Sequence, residues 1–559
     1  MDSPTRTAVD QAIEDLRTGL PSWIGLSASE RAAMLHAARR RVVPESEGLI
    51  AETCAAKGLS RDSHYAGEVT GELMMLATVL QASETVFGRI AAGRDPLPAS
   101  ALHVRPDGQT EARVWPTDLV DRILFASWGM RVDVRMRPGH TPHDTLAGAA
   151  ARYRGGTFPD PGVALVLGGG NFVFWPVLDL MSVMLAEGSV ALLKLNPAND
   201  YIAPYLERIF SDFVERDWLR VVRGGPDLAR DLAHDPGIDR IHMTGAKSTY
   251  EALVWGEDEA AEQRRAQGRP LLHKPFTAEL GGVNPCIVVP GPWSAADIRQ
   301  QAGRICYQKL QNSGHKCDAI QILIVPEEWK LTGSLLAEIR RLMRELPPRP
   351  LFYPRTQQRL DDALADCPQF EALQPPDRRN IATGLDPHGD ARLFSDEVFA
   401  DLLGVVQLPG RSVPDYLGAA VAFANERLAG NLCAMLLVDP RTTRKHRAAV
   451  EGAIDGLRYG TVGVNEGPNW GVVSGYGPWG GHPGNTPEDV KSGIGFIGNA
   501  LLLDAPDKTV VRAAFRPLLK PATDATHRHL ETISAGFLRL RGNDDVRGLP
   551  SVMLGVLRG

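Results

Sequence analysis

The strongest constraint on this fold is an alternation of strands and helices that begins near residue 161. The apolar run VALVL at 163–167 enters Gly168, Gly169 and Gly170. It is followed by the helical stretch FWPVLDLMSVMLAEG, which Gly188 closes as a C-cap. SVALLKLNP reads as a second buried strand, and YIAPYLERIFSDFVERDW as a helix. The strand LRVVRGG, the helix PDLARDLAHDPG and the strand IDRIHMTG complete the run. Short apolar strands that alternate with helices predict a parallel sheet with covering helices. The texture returns from about 276 to 440 in NPCIVVPG, a helix through RICYQKLQ, AIQILIVP, a helix through LLAEIRRLMREL, and AGNLCAMLLVD. The predicted class is therefore α/β, with two doubly wound units in succession.

The flanks differ. Ser27 precedes a helical pattern with Glu30 three positions on, a capping box, and Leu35, Ala38 and Val42 follow at helical spacing. A second helix is predicted around GELMMLATVLQASETVF. In MRVDVRMRPG at 130–139, Val132, Val134 and Met136 alternate with charged residues. That pattern predicts an exposed or edge strand, which needs covering, for example by another subunit. Residues 256–276 read as a charged surface connection. Residues 460–500, rich in Gly, Pro and Trp, read as fixed turns. Beyond 512, FLRLRGNDD and LPSVMLGVLRG carry enough apolar residues to dock on the body or on a partner subunit.

Composition excludes several classes. With 61 basic and 67 acidic residues the net charge is -6, which gives no bulk attraction for nucleic acid. Six cysteines in 559 residues, with no CxxC pair, exclude a disulfide framework and a zinc cluster, so no metal is expected. There is no apolar signal-peptide core and no apolar run long enough to span a membrane. The expectation is a soluble, cytoplasmic protein with neither membrane nor nucleic acid as partner.

Two residues stand out chemically. Cys317 lies in QNSGHKCDAI between a helix and an apolar strand, with His315 and Lys316 just before it. Positive neighbours favour the reactive thiolate; the alternative is a buried small hydrophobe. Glu279, in TAELGGVNP, is followed by Gly281 and Gly282, which leave room for close approach of a ligand. The alternative is an exposed carboxylate at a turn. The glycines 168–170 alone read as a tight turn, because their spacing is not GxGxxG.

Taken together, these segments resemble the aldehyde dehydrogenase superfamily, in the family's order, from about residue 20 to 512. GGGNFVFWP at 168–176 stands where the family has its Pro-Trp-Asn-Phe-Pro turn. LLKLNP at 192–197 matches its cofactor-lysine strand, and IHMTGA at 241–246 its Phe-Thr-Gly-Ser segment. AELGGVNP at 278–285 matches Glu-Leu-Gly-Gly, and NSGHKC at 312–317 matches Gly-Gln-x-Cys. DEVFADLL at 396–403 resembles Glu-x-Phe-Gly-Pro, and GVNEG at 463–467 the late Val-Asn.

The resemblance implies a Rossmann-like cofactor domain (1–129 and 150–272), a catalytic domain (273–484), and a small β oligomerisation element with a C-terminal extension (130–149 and 485–559). It implies NAD(P)-dependent oxidation of an aldehyde to the acid. Cys317 would attack the carbonyl to give a thiohemiacetal, and Asn171 with the Cys317 N–H would hold the oxyanion. Hydride would pass to the nicotinamide, and Glu279 would activate water against the thioester. For the cofactor, Lys194 would bind ribose hydroxyls, and Gly245 and Ala246 would meet the pyrophosphate. Glu397 would hold the nicotinamide ribose with Phe399 beside the ring, and Gly169, Gly170, Pro197 and Leu280 complete the implied set. Pro197 stands where NAD-preferring members often carry a glutamate, so NAD or NADP both fit. His242, Tyr250, Ala400 and Asp401 depart from the family pattern around the cofactor. A homodimer or homotetramer is implied. The rival readings are a CoA-acylating enzyme, an acyl-thioester reductase, a non-catalytic scaffold homologue and a thiol hydrolase. Trp470, Tyr476 and Trp479 read either as a wall for a bulky or apolar aldehyde or as core or interface residues.

Overall fold

The computed structural model describes residues 3–367, 369–374 and 379–559. Two sheets organise it. The smaller has six strands in the order Gly493–Ile494, Phe276–Leu280, Arg240–Gly245, Val163–Leu167, Val190–Lys194 and Leu219–Val222. Its last five are mutually parallel, and the two-residue strand runs antiparallel at the edge. Val163–Leu167 and Val190–Lys194 are buried at every position, as strands covered on both faces must be. The helix Trp175–Glu187 returns the chain between them and ends on Gly188, whose left-handed φ of 69° suits only a residue without Cβ strain.

The larger sheet has eleven strands, ordered Leu102–Val104, Thr110–Trp115, Arg131–Met136, Pro506–Arg512, Thr461–Val464, Cys433–Leu437, Asn284–Val288, Ile320–Pro326, Leu402–Leu408, Arg379–Leu385 and Phe370–Gln374. The parallel run from Pro506–Arg512 to Arg379–Leu385 is the second doubly wound unit. The predicted boundary at 272/273 moves: Phe276–Leu280 belongs to the six-stranded sheet, and the larger sheet begins at Asn284. The chain crosses between sheets in residues 281–283.

The predicted edge strand is corrected too. Arg131–Met136 pairs on both sides, antiparallel to Thr110–Trp115 and to Pro506–Arg512, and nearly all of it is buried. Its charges are paired rather than solvated. Arg135 is 0% exposed and reaches Glu111 at 3.2 Å, Glu451 at 3.1 Å, and Asp455. Glu451 and Asp455 lie on the helix Arg447–Gly456. Asp133 is equally buried between Arg113 and Arg131. Alternating charge marks a wet face only when no opposite charge is brought onto it. The strand therefore offers no open edge for a second subunit.

The C-terminal extension docks on the chain's own body. Helix Leu530–Asn543 folds against Ala66–Ala91 and Ala28–Ala56, and Gly548–Leu557 packs on Leu530–Asn543. Ion pairs fasten them: Arg541 to Asp121, Arg39 to Asp544 at 2.8 Å, and Arg61 to Glu531 at 3.0 Å. The Ser27–Glu30 capping box forms as predicted.

Removing the cation of a buried pair strands its partners, at a cost of about 3 kcal/mol. Arg135→Met is therefore expected to lower Tm by several degrees in a thermal melt. Arg341→Met, which breaks an exposed ion pair with Glu338, is expected to change stability by under about 1 kcal/mol.

Candidate active site

The site lies where strands of the smaller sheet end and strands of the larger one begin. Gly168 N–H donates to the Lys194 carbonyl at 3.1 Å, and the chain then turns into the helix Trp175–Glu187. A Cβ on Gly169 would meet Trp175 and Thr244, and one on Gly170 would meet Asn196. The glycines thus allow the turn that presents Asn171. Glu279 stands near the end of its strand, just before the inter-sheet crossing. Gly281, in the crossing, makes room for the Glu397 carboxyl, which a Cβ there would strike.

Cys317 follows the helix Ala295–Leu310 through a loop in which Asn312, Ser313 and Gly314 are successively left-handed (φ 54°, 57° and 71°). Such backbone costs of order 1 kcal/mol or more at each non-glycine residue and needs external support. The support is a buried polar network. Glu72 accepts from Lys57 Nζ at 2.5 Å and from the Val173 N–H at 2.8 Å. Lys57 Nζ also donates to Asn312 Oδ1 at 2.9 Å. Asn312 Nδ2 donates to the carbonyls of Asn171 at 2.9 Å and His315 at 3.1 Å. Asn171 Nδ2 donates to the same His315 carbonyl at 3.1 Å. One network therefore ties the asparagine turn to the cysteine loop. Asn284 Nδ2, at the start of the next strand, holds the Cys317 carbonyl at 2.6 Å.

Electrostatics follow from burial. Cys317 is 7% exposed and Glu279 2%. Burial pushes the Glu279 carboxyl up to about 7, opposed by hydrogen bonds from Trp479 Nε1, at 2.8 Å, and from the Cys317 thiol. Burial and then the neighbouring Glu279 push the thiol well above its ordinary range. The expected thiolate-favouring cations do not act. Burial holds His315 well below the usual imidazole range, so it is neutral at pH 7. Lys316 is turned away to Gln311 at 2.9 Å and Asp318 at 3.3 Å. A resting thiol beside a carboxylate that titrates near neutrality is what this burial yields.

The site opens into a cleft of about 1150 Å³. Asn171, Glu279 and Cys317 line it together with Gly169, Gly170, Gly245, Ala246, Glu397 and Phe399. Three features fit a dinucleotide. The helix Lys247–Trp255 starts at Ala246 without a side-chain cap, leaving its N-terminal amides for an anion. One Glu397 oxygen is buried without a hydrogen-bond partner, and burial, then Glu279, lifts that carboxyl to about 8. The Phe399 ring is fixed against His315 at 5.6 Å and Tyr353 at 5.2 Å.

Lys194, Pro197 and Leu280 lie outside the cleft lining. The Leu280 side chain is fully buried in the apolar core, which removes it as a side-chain contact for a cofactor. Pro197 is exposed, and burial, opposed by Asp200, lowers the Lys194 ammonium to about 8. The aromatic-wall reading is also corrected. Trp470 packs on Trp115 and Phe125, and Tyr476 belongs to that same core. Trp479 instead donates to Glu279. Sequence reasoning missed the roles of Trp479, Lys57 and Glu72. Nothing local marks them, since each acts on a partner far along the chain.

The fold and site together define a two-domain α/β protein with a cysteine, a carboxylate and an asparagine sharing one interdomain cleft. The aldehyde dehydrogenase family model matches residues 151–356. N-succinylglutamate 5-semialdehyde dehydrogenase of Sphingopyxis alaskensis is 30% identical over 216 residues, which is 38% of this chain and 41% of that protein. The 4,4'-diaponeurosporen-aldehyde dehydrogenase of Staphylococcus aureus is 23% identical over 48% of this chain and 56% of that protein. The chain thus spans about half the length of these relatives. Among solved structures, an NAD-dependent aldehyde dehydrogenase from Sinorhizobium meliloti superposes with a TM-score of 0.60 at 16% identity, covering 91% of this chain and 87% of that one. An NADP-dependent glyceraldehyde-3-phosphate dehydrogenase from Bacillus halodurans, complexed with NADP, gives 0.58 at 17% identity over 90% and 91%. Residues 151–356 thus match the aldehyde dehydrogenase family model, and the chain as a whole shares the fold of the solved aldehyde dehydrogenases.

A carboxyl raised on folding favours the folded state while protonated, and that advantage is lost as pH rises through the folded value. A rise from 4.5 to about 7 corresponds to about 3 kcal/mol. Glu279→Gln is therefore expected to melt at a higher temperature than the natural chain at pH 8.5, with the difference gone below about pH 4.5.

Proposed function

We propose that this chain oxidises an aldehyde to the carboxylic acid, with NAD or NADP as electron acceptor. The observation that carries the reading is the buried Glu279 carboxyl neighbouring the buried Cys317 thiol, each shifting the other's titration, within one cleft that Asn171 also lines. Glu279 takes the thiol proton as Cys317 Sγ attacks the carbonyl carbon, forming a thiohemiacetal. Asn171 keeps one amide hydrogen on the His315 carbonyl and has a second for the oxyanion, which the Cys317 N–H shares. A donor of this kind is worth about 2.7–4 kcal/mol in the transition state. Glu397 and Phe399 would hold the nicotinamide, which would supply the hydride acceptor. Glu279, a base matched to neutral pH by its burial, releases that first proton to solvent; the thioester is then cleaved by water whose proton passes to Glu279 and on to the departing Cys317 sulfur.

Retention of Glu279 supports water over CoA as the acyl acceptor, and the assembled site supports an enzyme over a scaffold. The absence of a carboxylate at Pro197 supports use of both cofactors. A panel of aldehydes against NAD and NADP, with and without CoA, is expected to give reduced-nicotinamide absorbance and free acid without CoA. Cys317→Ala is expected to abolish it by at least about 10³-fold. Persisting hydride transfer in that variant would refute the nucleophile.

A further inference from the structure

We infer that Trp479 is a positioning residue, whose indole N–H holds the Glu279 carboxylate against the Cys317 thiol so that it can move the proton at each step. This rests on the reading of Cys317 and Glu279 given above. The residues lie 200 positions apart, yet donor and acceptor meet at 2.8 Å.

One short segment sets both ends of that bond. Gly493 pairs in register with Glu279, fixing the strand that carries the carboxylate. Four residues on, Ile497 bridges Trp479 through two backbone hydrogen bonds of 2.9 and 2.8 Å. The close approaches require glycine. Gly493 and Gly495 have φ of 111° and 90°, and a Cβ on Gly480 would strike the Gly495 carbonyl. The Trp479 side chain is 1% exposed, with Trp175 edge-on at 6.5 Å, so it has no room to swing.

The chemistry of the donor matters. Indole N–H donates and cannot accept, so Trp479 favours the ionised carboxylate and takes no proton from it. It commits one Glu279 oxygen and leaves proton traffic to the other. A glutamate with three free torsions would otherwise leave the thiol by rotating. The bond also offsets part of the burial that raises the carboxyl toward 7.

The test is the pH dependence of Cys317 alkylation by iodoacetamide, followed by peptide mass, in the natural chain and in Trp479→Phe. It needs no turnover. A second variant, benzothienylalanine at position 479, keeps the ring's shape without the N–H. Both are expected to move the acidic limb up by about one pH unit. Both are expected to lower kcat about tenfold, with the cofactor KM within about threefold. An unmoved limb and unchanged kcat in the two folded variants overturn the inference. So does an equal collapse of kcat, KM and Tm in both, which would mark plain loss of packing. Failure of the parent reading looks different: Cys317→Ala would leave aldehyde-dependent cofactor reduction intact, while the labelling limb still reports on Trp479.

Discussion

The whole site depends on how briefly the chain passes between its two sheets. The strand that carries Glu279 ends the cofactor-side sheet at Leu280, and Asn284 opens the other. Three residues cannot carry the chain far, at no more than about 3.5 Å each. The carboxylate near the end of one sheet is therefore held at the start of an interior strand of the other, where Asn284 binds the cysteine loop. Gly281 and Gly282 are small because that crossing is crowded: Glu397 fills the space beside one, Ser492 and Gly430 beside the other. Proximity of Cys317 and Glu279 is a consequence of topology before it is a matter of side chains.

Topology alone does not aim the groups. The cysteine loop adopts left-handed backbone at two non-glycine residues and would relax without its clamps. Lys57 and Glu72, on two N-terminal helices, reach into the junction and tie Asn312 and Val173 together. The N-terminal helices thus serve the chemistry as well as covering a core. The C-terminal helices brace the same helices from outside through Arg39, Arg61 and Arg541. Burial is the common currency of these devices. It leaves the thiol protonated at rest and lets the carboxylate titrate near neutrality.

Much of this was legible in the sequence, for physical reasons that can be named. Strand–helix periodicity predicted both doubly wound units, since burial on two faces leaves continuous apolar runs. Cys317, Glu279 and Asn171 could be named as candidates because their motifs resemble a family's in order. The cleft gathers all three, along with Gly245, Ala246, Glu397 and Phe399. What failed was inference from local charge. Asp133 and Arg135 read as a wet strand face, yet partners arrive for them from residues 111, 113, 451 and 455. Lys316 read as an activator of its neighbour, yet Gln311 and Asp318 hold its ammonium elsewhere. Trp479 read as substrate wall or core, because sequence cannot show that an indole edge meets a carboxylate 200 residues away. Long-range pairing of polar groups is the information a linear reading lacks.

The central claim is that the acyl group travels on Cys317 and leaves by water that Glu279 activates. The most direct measurement is the intact-mass and peptide-mass spectrum of Glu279→Gln after mixing with a reactive aldehyde and NAD or NADP. The account predicts slowed reduction of one equivalent of cofactor, because the thiol has lost its base, with one equivalent of acyl thioester accumulating on the Cys317 peptide because its hydrolysis has lost the same base. Reduced cofactor formed with no adduct on Cys317, or with the acyl group on another residue, would contradict it.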